Sequence, residues 1–241
     1  MRLPKVSCIC PTFARTHLLE EAVESFLRQD YEGELELIVL NDFVEQIIKF
    51  TSDPRVRIFN AYRRYETLGE KRHSAYNLAS GDLFLTWGDD DIHLPHRVSR
   101  MVNFLGDEGM AYEGWFFVSH ADGIFLERKS TAGAHIIKAE VYHKLGGIPS
   151  LSIGEDVAFN NTAAKTLGEI RVCKESPAFL YRWHGTNRTH VSGTGQDDPY
   201  AVMLARANQL VASGEEPFGE IKLRPRWREN YCEKVKEAIV R

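Results

Sequence analysis

Residues 83–97 read LFLTWGDDDIHLPHR, an apolar run that ends in three consecutive carboxylates, Asp89, Asp90 and Asp91. Side by side these charges repel one another, and a divalent cation would supply the compensating charge. Oxygen-only donors with room for waters suit Mg2+ or Mn2+, and phosphate oxygens can complete the shell. The segment points to an enzyme that handles a phosphorylated substrate through a metal. Asp residues after a strand also form turns and cap helices, and Asp91 is well placed to cap a helix entered at Pro95. Three together are more than a cap requires.

The elements around this segment alternate. Lys5 to Cys10 is apolar nearly throughout, as buried parallel strands are, and Pro11 and Thr12 break it. Leu18, Leu19, Ala22, Val23, Phe26 and Leu27 recur at helical spacing. Strands are expected over residues 34–40 and 56–60, with a weaker helix over 44–50 between them. Thr67 and Glu70 form a T-x-x-E capping box that opens a helix to about Ala79. Val98, Met101, Val102 and Leu105 mark the helix after the Asp cluster. This alternation predicts an open, mostly parallel sheet with helices on both faces. The second half is less regular. It reads as two strands around Ala121-Asp122-Gly123, a short helix over 139–145 and a helix to about Leu167 opened by a Ser152/Glu155 capping box. Strands follow over 170–173 and 178–184, then a polar loop over 192–199, a helix over 201–212 and a charged tail, helical near its end. One continuous domain is expected over 1–241, with a soft boundary near residue 108 and a helical tail over 201–241.

The totals narrow the class. With 241 residues, 43% of them hydrophobic, the chain can bury a core without staples. A net charge of −4 gives no general attraction to nucleic acid or an anionic membrane. Cys8, Cys10, Cys173 and Cys232 are too few and too irregular for a disulfide scaffold, so buried free thiols in a reducing compartment are expected. The N-terminus has no charged-then-apolar leader and no apolar run approaches a bilayer span, so a cytoplasmic location and no transmembrane segment are expected.

In an open parallel sheet, ligands sit beyond the carboxyl ends of the strands. Pro11-Thr12-Phe13-Ala14-Arg15, Asn41-Asp42, Gly69-Glu70-Lys71-Arg72 and the Asp cluster all fall there. A carboxylate after the second strand can accept from a base N–H or a ribose hydroxyl. Lys71 and Arg72 in a first helical turn oppose the helix dipole, and a phosphate nearby would relieve that conflict. Each signal alone has a plain reading as a turn or a solvated face; their joint placement carries the argument.

On these motifs the chain resembles a family 2 glycosyltransferase of the GT-A fold. KVSCICP with Thr12, Phe13 and Arg15 is similar to that family's opening strand and turn. Leu37 to Asp42 resembles its second strand and following acids. Leu78 to Asp91 resembles the lead into its D-x-D metal motif, and Gly154-Glu155-Asp156 resembles its acceptor-side motif. The resemblance implies that Asp42 contacts the base, that Pro11, Thr12 and Arg15 line the same pocket, and that Arg72 sits near the nucleotide. It implies Asp90 as principal metal ligand, with Asp89 or Asp91 serving ribose or metal, and Asp156 as general base. Asn41 stands where the family's first acid after strand two usually sits, and Gly88 where many members carry the first Asp, so the working pair among the three carboxylates stays open.

The base assignment has its own chemistry. A sugar hydroxyl must lose its proton as it attacks, and a carboxylate in reach can take it. If Glu155 closes a capping box, Asp156 is the freer of the two, and direct displacement with one base inverts the anomeric centre. His184 after a strand could complete the metal shell, and Arg188 with His190 could close over the diphosphate. Trp115, Phe116 and Phe117 could stack on an acceptor or fill core. The basic tail (Lys222, Arg224, Arg226, Trp227, Arg228) could touch an anionic acceptor or face solvent.

The expected activity is an inverting, Mn- or Mg-dependent transfer from a nucleoside-diphosphate sugar, UDP-linked, to a carbohydrate or other hydroxyl acceptor. Alternatives are transfer onto a modified nucleic-acid base, a nucleotidyltransferase that makes a nucleotide sugar, and a binding protein that kept the fold without turnover. PTFAR lacks the glycines of a nucleotidyltransferase phosphate loop. The oligomeric state and the donor sugar are not legible here.

Overall fold

The structure, a computed structural model, describes residues 2–120, 123–127, 134–182 and 218–240. His184, Arg188, His190, the polar loop over 192–199 and the helix over 201–212 lie outside the described residues.

Strand β1 (Val6–Thr12) lies between β2 (Leu35–Asn41) and β5 (Leu83–Thr86), parallel to both. The edge β4 (Val56–Asn60) pairs parallel with β2. On the other side, β10 (His135–Lys138) runs antiparallel between β5 and β7 (Met110–Glu113), and β11 (Arg171–Cys173) closes the seven-stranded sheet. Alternate residues face opposite layers, as the two-residue strand period requires. Val6, Cys8, Cys10, Leu37, Val39, Leu83 and Leu85 pack with α1 (Thr16–Leu27) and α3 (Arg97–Leu105). Ile9, Ile38, Leu40 and Phe84 pack with α2 (Leu68–Asn77), α4 (Ala139–Lys144) and α5 (Glu155–Leu167). This is the mostly parallel sheet covered on both faces that the alternating pattern predicts. Cys8 and Cys10 share one face, and all four cysteines are free thiols. Burial pushes the Cys8 and Cys10 thiols far above their usual range, which leaves them unreactive.

Several local expectations are corrected. Residues 46–49 form strand β3 (Gln46–Lys49), not a helix, and β3 pairs parallel with β13 (Gly219–Lys222). The weak helical period lost to this distant partner, and alternate exposure along β3 marks it as a half-buried strand. Asp91 does not cap the following helix: β6 (Ile92–His93) intervenes, and α3 starts after His96. Ser152 and Glu155 form no capping box, because Gly154 in a left-handed conformation (φ 74°) is the N-cap of α5, with no side-chain cap bond. The Thr67 cap of α2 does form, with Glu70 N–H donating to its hydroxyl at 3.0 Å.

A second sheet, ordered β6-β12-β8-β9, flanks the first and uses β8 (Phe116–His120), β9 (Gly123–Glu127) and β12 (Phe179–Arg182). Phe116 and Phe117 are buried there, so both are core. The final helix, α6 (Tyr231–Val240), packs Tyr231 and Val235 against Ile92, Phe117 and Leu180. The basic tail is docked: Arg224 N–H donates to Glu20 (2.7 Å), Trp227 Nε1–H to Ser25 (2.9 Å), and Arg28 stacks on Trp227 at 4.4 Å. No described helix is long and apolar enough to cross a membrane.

One buried carboxylate joins the central strands. Glu36, 3% exposed, accepts from the Ser7 hydroxyl (2.6 Å), Ser80 N–H (2.6 Å) and Arg57 (2.8 Å). Burial alone would raise its pKa, but these donors outweigh burial and pull it from 4.5 to about 2. A group lowered on folding stabilises above its unfolded value, and that stability is lost as pH falls through the folded one. Urea midpoints measured between pH 5 and pH 2 should therefore fall with a Glu36 contribution on the order of 3 kcal/mol. Glu36→Gln should be less stable at pH 7 and should lack that part of the acid slope; an unchanged slope would assign the acid loss elsewhere.

Candidate functional site

The carboxyl ends of β1, β2 and β5 converge, and the loops after them hold the predicted residues. After β1 the chain turns through Ala14 in a left-handed conformation (φ 50°), and Arg15 follows at the start of α1. Arg15 grips Asp89 with two bonds, Nη2 to Oδ1 at 2.5 Å and Nε to Oδ2 at 3.1 Å. Its third nitrogen, Nη1, reaches Asp90 Oδ2 at 2.5 Å. Part of the charge that the three acids require therefore comes from the protein's own guanidinium. Desolvation pushes the Asp89 carboxyl up, against the pull of Arg15. Burial, then the Asp90 charge, push Asp91 well above the usual carboxylate range.

Asp42 follows β2, fully buried. It accepts from Lys71 Nζ at 2.5 Å and Tyr65 N–H at 3.3 Å, and the same ammonium donates to the Thr12 carbonyl at 2.6 Å. Lys71 thus ties the end of β1 to the loop after β2. Its neighbour Arg72 pairs with Glu155 at 2.9 Å. Each of the two cations in the first turns of α2 is paired with a carboxylate, Lys71 with Asp42 after β2 and Arg72 with Glu155 at the start of α5. The Arg72 pair also gives Glu155 its task in place of the missing capping box. Asp156, next to it in the first turn of α5, is half-buried and accepts the Val157 N–H at 2.8 Å. The structure joins Thr12, Asp42 and Lys71 in one network and Arg15, Asp89 and Asp90 in another. Asp156 is brought towards α2 through Glu155 and Arg72.

The two departures from the family pattern have local causes. Asn41 Nδ2 donates to the Gln46 carbonyl (2.9 Å) and Asn60 Oδ1 (3.1 Å), while its Oδ1 accepts the Phe43 N–H (3.0 Å). A carboxylate could not donate those bonds. At Gly88, a Cβ would lie 2.4 Å from Asp91 Oδ2, so a side chain there would displace Asp91.

Sequence reasoning missed the residues that hold the acidic turn. Arg97, 1% exposed, binds Glu113 through Nε (3.0 Å) and Nη2 (2.9 Å). Its Nη1 donates to the Thr86 carbonyl (2.8 Å) and His93 Nδ1 (2.9 Å). His93, kept neutral by burial and by Arg97, then donates Nε2–H to the Gly88 carbonyl at 3.1 Å. Arg182 supports the turn from β12: its N–H donates to Asp91 Oδ1 (3.1 Å) and its Nε–H to the Asp90 carbonyl (2.5 Å). Arg64 stacks over Phe13 at 4.9 Å, beside the β1 loop. The Tyr62-Arg63-Arg64-Tyr65 run after β4 was the one visible signal for it; a single buried Arg on a helix or strand carries none.

A family model described as glycosyl transferase family 2 matches residues 7–167, more than half of the chain. The chain belongs to glycosyl transferase family 2. Arg182 and the docked tail of this family 2 chain lie beyond the matched residues. A Campylobacter jejuni GalNAc(5)-diNAcBac-PP-undecaprenol beta-1,3-glucosyltransferase is 31% identical over 118 residues, which are 46% of this chain and 37% of that protein. The Escherichia coli putative colanic acid biosynthesis glycosyl transferase WcaA is 25% identical over 152 residues, 61% of this chain and 48% of that one. The chain thus spans less than half the length of these curated relatives. Among solved structures, Staphylococcus aureus TarS 1–349 in complex with UDP-GlcNAc superposes with a TM-score of 0.61 at 17% identity, over 86% of this chain and 66% of TarS 1–349. That likeness identifies the GT-A fold of this family 2 member.

Proposed function

We propose that the chain is an inverting glycosyltransferase that moves a sugar from a UDP-sugar to an acceptor hydroxyl with a divalent cation. The observation that carries this reading is the convergence of Arg15, Asp42 and Asp89–Asp91 at the carboxyl ends of β1, β2 and β5, with Asp156 at the start of α5. TarS, the likeness in fold, has been solved with UDP and with UDP-GlcNAc. Residues to about 108 then form the donor half, and about 109–200 the acceptor half.

The residues fit a cation. Asp90 and Asp91 stand side by side, and burial first, then the Asp90 charge, disfavour the Asp91 carboxylate, which a cation would favour. No cluster of three or more His, Cys, Asp or Glu side chains suited to a metal occurs among the described residues. A site of one or two carboxylates completed by diphosphate oxygens and water is the usual Mg2+ arrangement. Asp90 and Asp91 would hold the ion, with His184 from outside the described residues. When bound, the ion would supply Lewis-acid stabilisation of the leaving diphosphate.

The chain's own side chains do the rest. Asp42, held at the end of β2 by Lys71 and the Tyr65 N–H, binds the base. Pro11 and Thr12 line the base pocket. Arg15 fixes Asp89 and Asp90, and Asp89 takes the ribose. Arg72 lies near the nucleotide and holds Glu155, and Arg188, outside the described residues, would contact the nucleotide sugar. Asp156 takes the proton from the acceptor hydroxyl. The chain works in the cytoplasm on an acceptor that it meets in solution or at a surface.

A panel of nucleotide sugars, assayed for release of nucleoside diphosphate with Mn2+ and with EDTA, tests the reading. Release from a UDP-sugar that stops in EDTA is expected. Release from no donor, or equal release in EDTA, would overturn the transferase or the metal part respectively.

A further inference from the structure

Glu21 lies on α1, outside every motif named above, and is 1% exposed. Its carboxylate accepts from the Tyr231 hydroxyl (2.7 Å), the Arg228 N–H (3.0 Å) and Arg182 Nη1. Arg182 is the residue whose N–H meets Asp91 Oδ1 and whose Nε–H meets the Asp90 carbonyl. One buried carboxylate thus joins α1, the docked tail and the acidic turn. A buried charge of this kind is held in place by its charge-assisted donors, and a neutral substitute would loosen all three. Arg228 and Tyr231 lie beyond residues 7–167, so this link is not part of the family match.

We propose that Glu21 is a positioning residue for the donor site: it holds Arg182 against the backbone of the Asp90–Asp91 turn and couples that turn to the tail segment over 224–231. The proposal rests on the reading of the turn as the part that holds cation and diphosphate. The charge balance gives it a specific consequence. Without the anion of Glu21, the Arg182 guanidinium loses an ion-pair partner while its charge still acts on Asp91, so it opposes a cation there. The cost falls on ion and donor binding more than on the chemical step.

The test uses the full chain as wild type, Glu21→Gln, Glu21→Asp and Tyr231→Phe. Hydrogen exchange is followed over 88–93, 179–182 and 224–238, with donor KM, kcat and half-saturating Mn2+ alongside. Glu21→Gln is expected to speed exchange over 88–93 and 179–182, and to raise donor KM and half-saturating Mn2+ about tenfold, with kcat at saturation within threefold. Glu21→Asp keeps the charge and should recover part of the Mn2+ affinity. Tyr231→Phe keeps the ion pair and should loosen 224–238 while KM stays within threefold. Faster exchange confined to 224–238, with 88–93 and half-saturating Mn2+ unchanged, would make Glu21 an anchor for the tail alone and overturn the proposal. If Glu21→Gln does not fold, Arg182→Lys reports on the same turn: unchanged exchange over 88–93 overturns the proposal equally. The exchange arm needs neither donor nor cation, so absence of transfer by the wild type would sink the transferase reading and leave this result standing.

Discussion

Asp156→Asn is expected to lower kcat by about 10² to 10⁴, the range for loss of a positioned general base. The amide has the shape of the carboxylate and can still accept the Val157 N–H, so the first turn of α5 stays intact. What it loses is basicity. Its neighbour Glu155 cannot substitute, since it is 4% exposed and paired with Arg72. Donor KM and half-saturating Mn2+ should stay within twofold, because Asp156 lies on α5 and none of the residues that hold Asp89–Asp91 depends on it. Loss of a negative charge near a helix N-terminus should cost only about 0.5 kcal/mol of stability. Nucleoside diphosphate release at saturating donor and acceptor, with a thermal melt as control, measures both. Full activity in Asp156→Asn would move the base to another residue.

Asp90→Ala should also abolish transfer, for a different reason. Asp90 shares Arg15 with Asp89 and is the most exposed of the two, with 14% of its side chain accessible against 3%. It is therefore the better placed of these two carboxylates to meet a ligand. Removing it takes one anionic donor from the ion, so donor affinity in Mn2+ should fall more than tenfold while the weaker affinity in EDTA stays the same. Stability should change little. The variant loses one ion pair, yet it also relieves the repulsion that Asp90 exerts on Asp89 and Asp91. Calorimetric titration with UDP in each metal condition separates the two affinities. Equal losses in Mn2+ and EDTA would make Asp90 a direct nucleotide contact instead of an ion ligand.

The acidic turn shows how a charge cluster is tolerated by the protein's own cations. Arg15, Arg97 with His93, and Arg182 approach it from β1, α3 and β12, and together they fix carboxylates and backbone carbonyls over 86–91. Under the proposed function, donors placed beforehand would let the site meet diphosphate and cation with little reorganisation.

Much of this was legible in the chain itself. The apolar runs of β1, β2 and β5, the helical period of α1 and α3 and the Thr67 cap are local signals. They placed Thr12, Asp42 and Asp89–Asp91 at strand ends before any contact was known. Partnerships were not legible, because they join residues far apart in sequence. The wrong helix over 44–50 is the clearest case: β3 exists because residues 219–222 pair with it, and a short stretch cannot announce a partner some 170 positions away. The antiparallel β10, the docking of the tail and the pairing of the expected strands around Ala121-Asp122-Gly123 and over 178–184 into a separate sheet were missed for the same reason. The amino-acid order determined which residues carry charge and which ends of which strands they occupy, since side-chain period and turn chemistry act over a few residues. The tertiary structure alone decided that Arg15 and Arg182 share the acidic turn, that Lys71 and Arg72 answer Asp42 and Glu155, and that Glu21 reaches the turn through Arg182. Those pairings arise from packing, which brings buried charges together wherever in the chain their partners lie.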